Sequence, residues 1–256
     1  MMIRFFAKRK ITLLLLALLI GSLALNFKLY RQTRYYYLSI NNVQLNPVEL
    51  KRYQRESVPK NPLNTAKKTV VFFGDSRAAD WRSPKMAGFQ FINRGIAGQT
   101  SAQAFLRFDE HVSYLKPRVI VVQVGGNDLR MLPLPPKQRK DIVEDCKENI
   151  GQIVKKSTDI SSTVILTTIF PLGRAKLQLR ERLFWPDPTD ISKDVEEVNA
   201  YIRSLARKNV IIFDAYSLLE EKGKTKGDYA ADLLHINSAG YEVLNKKLVE
   251  ILKSLK

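Results

Sequence analysis

Thr69-Val70-Val71-Phe72-Phe73-Gly74-Asp75-Ser76-Arg77 is the stretch on which the architecture turns. Its β-branched and aromatic residues run together and stop at a glycine, as expected of a strand buried on both faces that ends in a turn. Four similar runs follow: Phe89 to Asn93, Val119 to Val124, Thr163 to Thr168 and Val210 to Phe213. Between them lie helix-like stretches at Ala102 to Leu115, Lys140 to Lys156 and Ser192 to Lys208. A last one spans Ala239 to Leu255, where Tyr241, Leu244, Leu248 and Ile251 recur at helical spacing. The alternation predicts right-handed crossovers and a five-stranded parallel sheet between two helical layers, a three-layer α/β/α fold. In open sheets of this kind, ligands sit beyond the carboxyl ends of the strands.

Polar and glycine-rich clusters occupy those ends. Gly74-Asp75-Ser76-Arg77 follows the first strand, Gly95-Ile96-Ala97-Gly98-Gln99-Thr100 the second, and Gly125-Gly126-Asn127-Asp128 the third. Asp232-Leu233-Leu234-His235 follows the fifth strand and a loop. Each cluster alone has a structural explanation as a turn or a helix cap. Together they hold the parts of acyl transfer. A serine hydroxyl needs a base, and the chain has two histidines, His111 and His235. His111 falls in a helical stretch among Asp109, Glu110 and Ser113, which predicts a solvated surface position. His235 follows Asp232 by three residues, a spacing that brings a carboxylate to imidazole Nδ1 across a turn and leaves Nε2 to accept the serine proton. The backbone N–H groups of Ser76 and Gly98 and the Asn127 amide are candidate oxyanion donors.

Phe73-Gly74-Asp75-Ser76, Gly98 within Asn93-Arg94-Gly95-Ile96-Ala97-Gly98, Gly125-Gly126-Asn127-Asp128 and Asp232-x-x-His235 resemble, in order and spacing, the four motif blocks of SGNH (GDSL-type) hydrolases. The resemblance runs from Thr69 to Leu255. It implies the flavodoxin-like three-layer fold, an ester substrate, and neither metal nor organic cofactor. It also implies Ser76 as nucleophile, His235 as base, Asp232 as its orienting partner, and Ser76, Gly98 and Asn127 as the oxyanion hole. Where many relatives carry an apolar residue after the nucleophile, this chain has Arg77, read either as a contact to an acidic substrate group or as a solvent-facing first residue of a helix. Trp81 completes a Gly-Asp-Ser-x-x-x-x-Trp arrangement seen in some relatives and is read as a substrate contact or a packed aromatic. Ala78 takes the place of the last glycine in a Gly-x-Ser-x-Gly elbow, which argues against an α/β-hydrolase. The long stretch between Phe170 and Asp190 emerges on the same rim. Within it Leu179, Leu183, Phe184 and Trp185 are candidates to line an acyl pocket, touch a bilayer or pack a short helix, and Met131 to Pro136 is a second candidate wall.

The N-terminal quarter has a different composition. Arg4, Lys8, Arg9 and Lys10 precede an uncharged run from Ile11 to Phe27. A basic flank and an apolar run about 25 Å long as a helix read as a membrane segment. Two forms stay open: an uncleaved signal anchor, or a signal peptide cut near Ser22-Leu23-Ala24. The denser cluster ahead of the span predicts a cytoplasmic N-terminus and an extracytoplasmic domain. The expected organisation is a basic segment at 1–10, a transmembrane helix at 11–27, a basic linker or stalk at 28–67 and the hydrolase-like domain at 68–256. Tyr30 and Tyr35 to Tyr37 suit an interfacial belt.

The whole chain of 256 residues is 45% hydrophobic and 26% charged with a formal net charge of +17, which excludes a disordered, collagen-like or multi-span protein. Cys146 stands alone, so an intramolecular disulfide and C-x-x-C sites are excluded. Residues 1–67 hold twelve Lys or Arg against Glu49 and Glu56, so +10 of the charge flanks the apolar span, where anionic headgroups account for it. No nucleic-acid recognition motif accompanies it. The leading expectation is a membrane-anchored serine esterase acting on an O-acyl or O-acetyl ester, lipid or acylated glycan. An O-acyltransferase to an envelope glycan and a non-catalytic envelope assembly protein are the alternatives.

Overall fold

Five parallel strands carry the core: β1 (Lys68–Gly74), β2 (Phe89–Gly95), β3 (Val119–Gln123), β4 (Thr163–Thr167) and β5 (Val210–Phe213), in the order β2-β1-β3-β4-β5. The computed structural model describes residues 2–53, 67–130, 139–160, 162–173 and 189–255. β1 lies between β2 and β3, with Val70 opposite both Phe91 and Val119. The chain therefore reverses its direction of progress across the sheet beside β1, the switch point at which sheets of this kind place their ligands.

Side-chain alternation sends the two faces of the sheet to different layers. Val71, Phe73, Ile120, Val122, Val164 and Leu166 pack under α3 (Ser101–His111), α5 (Arg139–Asp159) and α6 (Thr189–Ser204). Val70, Phe72, Val121, Ile165 and Phe213 pack under α7 (Ala215–Leu219) and α8 (Ser238–Ser254), the latter through Leu244, Leu248 and Leu252. Two short helices, α2 (Ser76–Ala79) and α4 (Gly126–Arg130), start where β1 and β3 end. The three-layer expectation holds. Helix ends differ by a few residues: α6 stops at Ser204 because Arg207 folds back to exchange backbone bonds with Val210, the first residue of β5.

The chain divides into two compact units, 1–47 and 48–256. In the first, α1 (Met2–Leu45) is a single helix of 44 residues. It continues through Lys28 to Leu45, where a linker was expected. That stretch contains neither glycine nor proline and ends just ahead of Pro47, so nothing local interrupts the i→i−4 bonds. Lys10–Leu45 is long and apolar enough to cross a membrane, with a mean hydropathy of 2.0 in its most apolar window. The second unit begins at Val48, well before the first strand, so Val48 to Tyr53 groups with the domain.

His111 corrects another expectation. It is fully buried: Nε2 donates to the Leu50 carbonyl at 2.9 Å, and Nδ1 faces Arg107 Nη1 at 3.2 Å. Its covering residues are remote in sequence, so the polar neighbours along the helix misdirect the reading. Burial holds its pKa below the ordinary histidine value, with the Leu50 carbonyl working against that.

Candidate active site

Asp75 caps α2, its Oδ1 accepting the Arg77 N–H at 2.9 Å, and this turn presents Ser76 on the rim above β1. Ser76 Oγ lies 2.9 Å from His235 Nε2, although 159 residues separate them. His235 Nδ1 lies 2.8 Å from Asp232 Oδ2. With Nδ1–H donating to that carboxylate, Nε2 is the acceptor for the serine proton. Asp232 Oδ1 takes the N–H groups of Leu234 and His235, both at 2.7 Å, so one carboxylate shapes the loop and orients the ring. Partial burial pushes the Asp232 pKa up, but the donations from His235 and Leu234 outweigh it and leave the group below the ordinary carboxylate value.

The oxyanion candidates are tied to one another. Asn127 Nδ2 donates to the Gln99 carbonyl at 2.9 Å, which fixes the amide plane and leaves its second hydrogen available. Gly98, the residue before Gln99, has φ of +79°, a conformation that glycine adopts without strain. Among the described residues, neither the Ser76 nor the Gly98 N–H has a protein acceptor. Asp128 locks this corner: its carboxylate receives the Ser101 N–H at 2.9 Å and the Ser101 hydroxyl at 2.6 Å. Burial raises the Asp128 pKa against those donations. No cluster of His, Cys, Asp or Glu suited to hold a metal occurs among the described residues.

Arg77 does not face solvent. It is 3% exposed, its Nε donates to the Leu234 carbonyl at 2.9 Å, and its guanidinium lies 5.2 Å from the Phe170 ring centroid. It thus braces the loop that carries His235. Tyr241 adds a second tie, its hydroxyl donating to the Arg77 carbonyl at 2.9 Å. Beside them Asp75 is buried, and burial pushes its pKa up to about 6 against the pull of the Arg77 charge. Trp81 is a packed aromatic, not a substrate contact. It is 1% exposed against Phe72, Phe213 and Tyr241, and its Nε1–H donates to Asn245 Oδ1 at 2.9 Å. Trp185, its neighbours Leu179, Leu183 and Phe184, and the Met131 to Pro136 loop lie outside the described residues.

Two supports went unread in the sequence. Asn93 Nδ2 donates to the Ala78 carbonyl at 2.8 Å and the Ala79 carbonyl at 3.2 Å, holding the open end of α2. Arg107, fully buried, donates to the carbonyls of Gly74 at 2.8 Å and Arg94 at 2.9 Å and to the Gln99 side chain. Burial draws its pKa down to about 10, still charged at neutral pH. A signal existed: Arg107 shares the helical stripe of Ala104, Phe108 and His111, all buried.

Residues 72–243 match the sequence model of the GDSL-like lipase/acylhydrolase family. Two solved structures share the fold. One is a Bacteroides fragilis protein whose assignment as an acylhydrolase is provisional, 27% identical with a TM-score of 0.62, covering 82% of this chain and 98% of its own. The other is a GDSL-like lipase from Bacteroides thetaiotaomicron, 23% identical with a TM-score of 0.60, covering 82% and 99%. The uncharacterized lipoprotein YqeF of Bacillus subtilis is 29% identical over 124 residues, 40% of this chain and 49% of YqeF, so the match spans about half of that relative.

Proposed function

The chain belongs to the GDSL-like lipase/acylhydrolase family, whose members hydrolyse esters, and on that footing we propose that it is a membrane-anchored serine esterase with Ser76, His235 and Asp232 as its catalytic set. The observation that carries the reading is the unbroken relay from Ser76 Oγ to His235 Nε2 at 2.9 Å and from His235 Nδ1 to Asp232 Oδ2 at 2.8 Å. Ser76 Oγ attacks the acyl carbon as His235 Nε2 takes its proton, and Asp232 stabilises the imidazolium. The carbonyl oxygen becomes an oxyanion facing the Ser76 and Gly98 N–H groups and the free hydrogen of Asn127 Nδ2. Collapse breaks the ester C–O bond, and the imidazolium gives its proton to the leaving alcohol. Water then attacks the acyl-enzyme with His235 as base, releasing the acid and restoring Ser76.

The substrate class is an O-acyl or O-acetyl ester. Helix α1 supports anchoring, with its basic start on the cytoplasmic side and the domain beyond the membrane, and the lipoprotein relative agrees with an envelope location. The test is Ser76→Ala in the full chain. Hydrolysis of 4-nitrophenyl acetate is expected to fall at least about a thousandfold, together with loss of fluorophosphonate labelling. Hydrolysis at the parent rate overturns the assignment.

A further inference from the structure

We propose that Tyr53, on the segment leading into the domain, is a positioning residue that holds the nucleophile helix and the Gly98 loop together through Gly95. The inference rests on the active-site assignment above. Tyr53 Oη donates to the Gly95 carbonyl at 2.7 Å. Gly95 ends β2, an edge strand with no neighbouring strand on its outer side among the described residues, and the chain leaves it directly for Gly98. On its other side Gly95 presses on α2, where a Cβ would come within 2.2 Å of Ala79 N and 2.6 Å of Ala79 Cα. Its N–H donates to Asn93 Oδ1 at 2.8 Å, and Asn93 in turn holds the carbonyls of Ala78 and Ala79. Gly95 is therefore the joint between the helix that presents Ser76 and the loop that presents Gly98. Its carbonyl is the handle, and Tyr53 grips it.

The Tyr53 ring touches the other supports of the same loop. The Arg94 guanidinium sits 4.6 Å from its centroid, and the His111 ring meets it edge-on at 5.3 Å. Both are joined to Arg107, which holds Gly74 and Gln99: Arg94 supplies a carbonyl to Nη1 and His111 faces the same nitrogen. Gln99 then sets the Asn127 amide. The segment is held at a second point, since the Leu50 carbonyl receives the His111 Nε2–H. Oxyanion donors act only when placed to within a fraction of an ångström, so a loosened Gly95 weakens transition-state binding more than substrate binding.

The experiment measures kcat and KM for 4-nitrophenyl acetate with the full chain in detergent micelles, normalised to the folded fraction from near-UV circular dichroism. Tyr53→Phe keeps the ring and removes the hydroxyl. Its kcat is expected to fall about tenfold with KM within about twofold, less than the loss of a whole oxyanion donor. Tyr53→Leu, which also removes the ring, is expected to lose more. Because rates are scored per folded molecule, a purely structural role predicts parent kcat in both variants, and that result overturns the proposal, as does a change confined to KM. Ser76→Ala runs in parallel: if it keeps the parent rate, the active-site assignment fails, whereas loss in Ser76→Ala with parent kcat in Tyr53→Phe refutes Tyr53 alone.

Discussion

Replacing Gly173 by alanine is expected to slow ester hydrolysis about a hundredfold in a folded protein. Gly173 lies outside the four motif blocks, yet a Cβ there would sit 2.0 Å from the Asp232 carbonyl oxygen, 3.0 Å from its carbon and 3.2 Å from Leu233 Cα. All three are backbone atoms, so no rotamer relieves the contact. Ordinary contact begins at 3.4 Å, and the Asp232 carbonyl has to retreat by about 1.4 Å. The Gly173 N–H donates to the Leu233 carbonyl at 2.8 Å, which binds the two segments at that same place. Asp232 Oδ1 holds the His235 N–H at 2.7 Å, so a displaced Asp232 carries the imidazole away from Ser76. Misplacement of a reacting group by about 1 Å costs on the order of a hundredfold in rate, about 2.7 kcal/mol of transition-state stabilisation. Initial rates on 4-nitrophenyl acetate give kcat and KM, and circular dichroism reports the fold. A folded Gly173→Ala protein with kcat within about threefold of the parent refutes the reasoning.

Trp81→Phe is expected to lower stability by about 1–3 kcal/mol through lost volume and the lost Asn245 bond, with KM unchanged. Urea unfolding and steady-state kinetics check both, and a raised KM restores Trp81 as a substrate contact. Asp75 binds its proton more tightly in the folded chain, with a pKa of about 6, than in the unfolded chain near 4. Its contribution to stability is therefore greatest below about pH 4 and declines as pH rises through about 6, by roughly 3 kcal/mol. In Asp75→Asn that decline is expected to vanish from denaturation curves taken across this range; a curve parallel to the parent's counts against it.

The sheet was legible because strands covered on both faces must be apolar, and Val70 to Phe73, Val119 to Val122 and Val164 to Leu166 leave no other place for themselves. Asp232 and His235 were legible because three residues of spacing close their contact locally. What escaped was set by distant chain. His111 looks solvated among Asp109, Glu110 and Ser113 until Leu50 and Tyr53 cover it, from positions dozens of residues away. The second half of α1 escaped for a different reason: its Tyr, Leu, Asn and Arg residues are mostly exposed, so no buried stripe marks a period. Arg77 escaped because a cation at the start of a helix ordinarily points outward, whereas the Leu234 carbonyl, the Phe170 ring and the buried Asp75 carboxylate, the first two remote in sequence, accompany its burial.

The separation of 159 residues between Ser76 and His235 also orders events during synthesis. At about 5–20 residues per second the ribosome adds the base roughly 8–30 seconds after the nucleophile. Until then, on the proposed assignment, a nascent chain holds the serine, the glycine loop and Asn127 but lacks the proposed base. The apolar helix, by contrast, emerges first. On the proposed assignment, a membrane-directing helix leaves the ribosome before the chain can assemble the set that cleaves an ester.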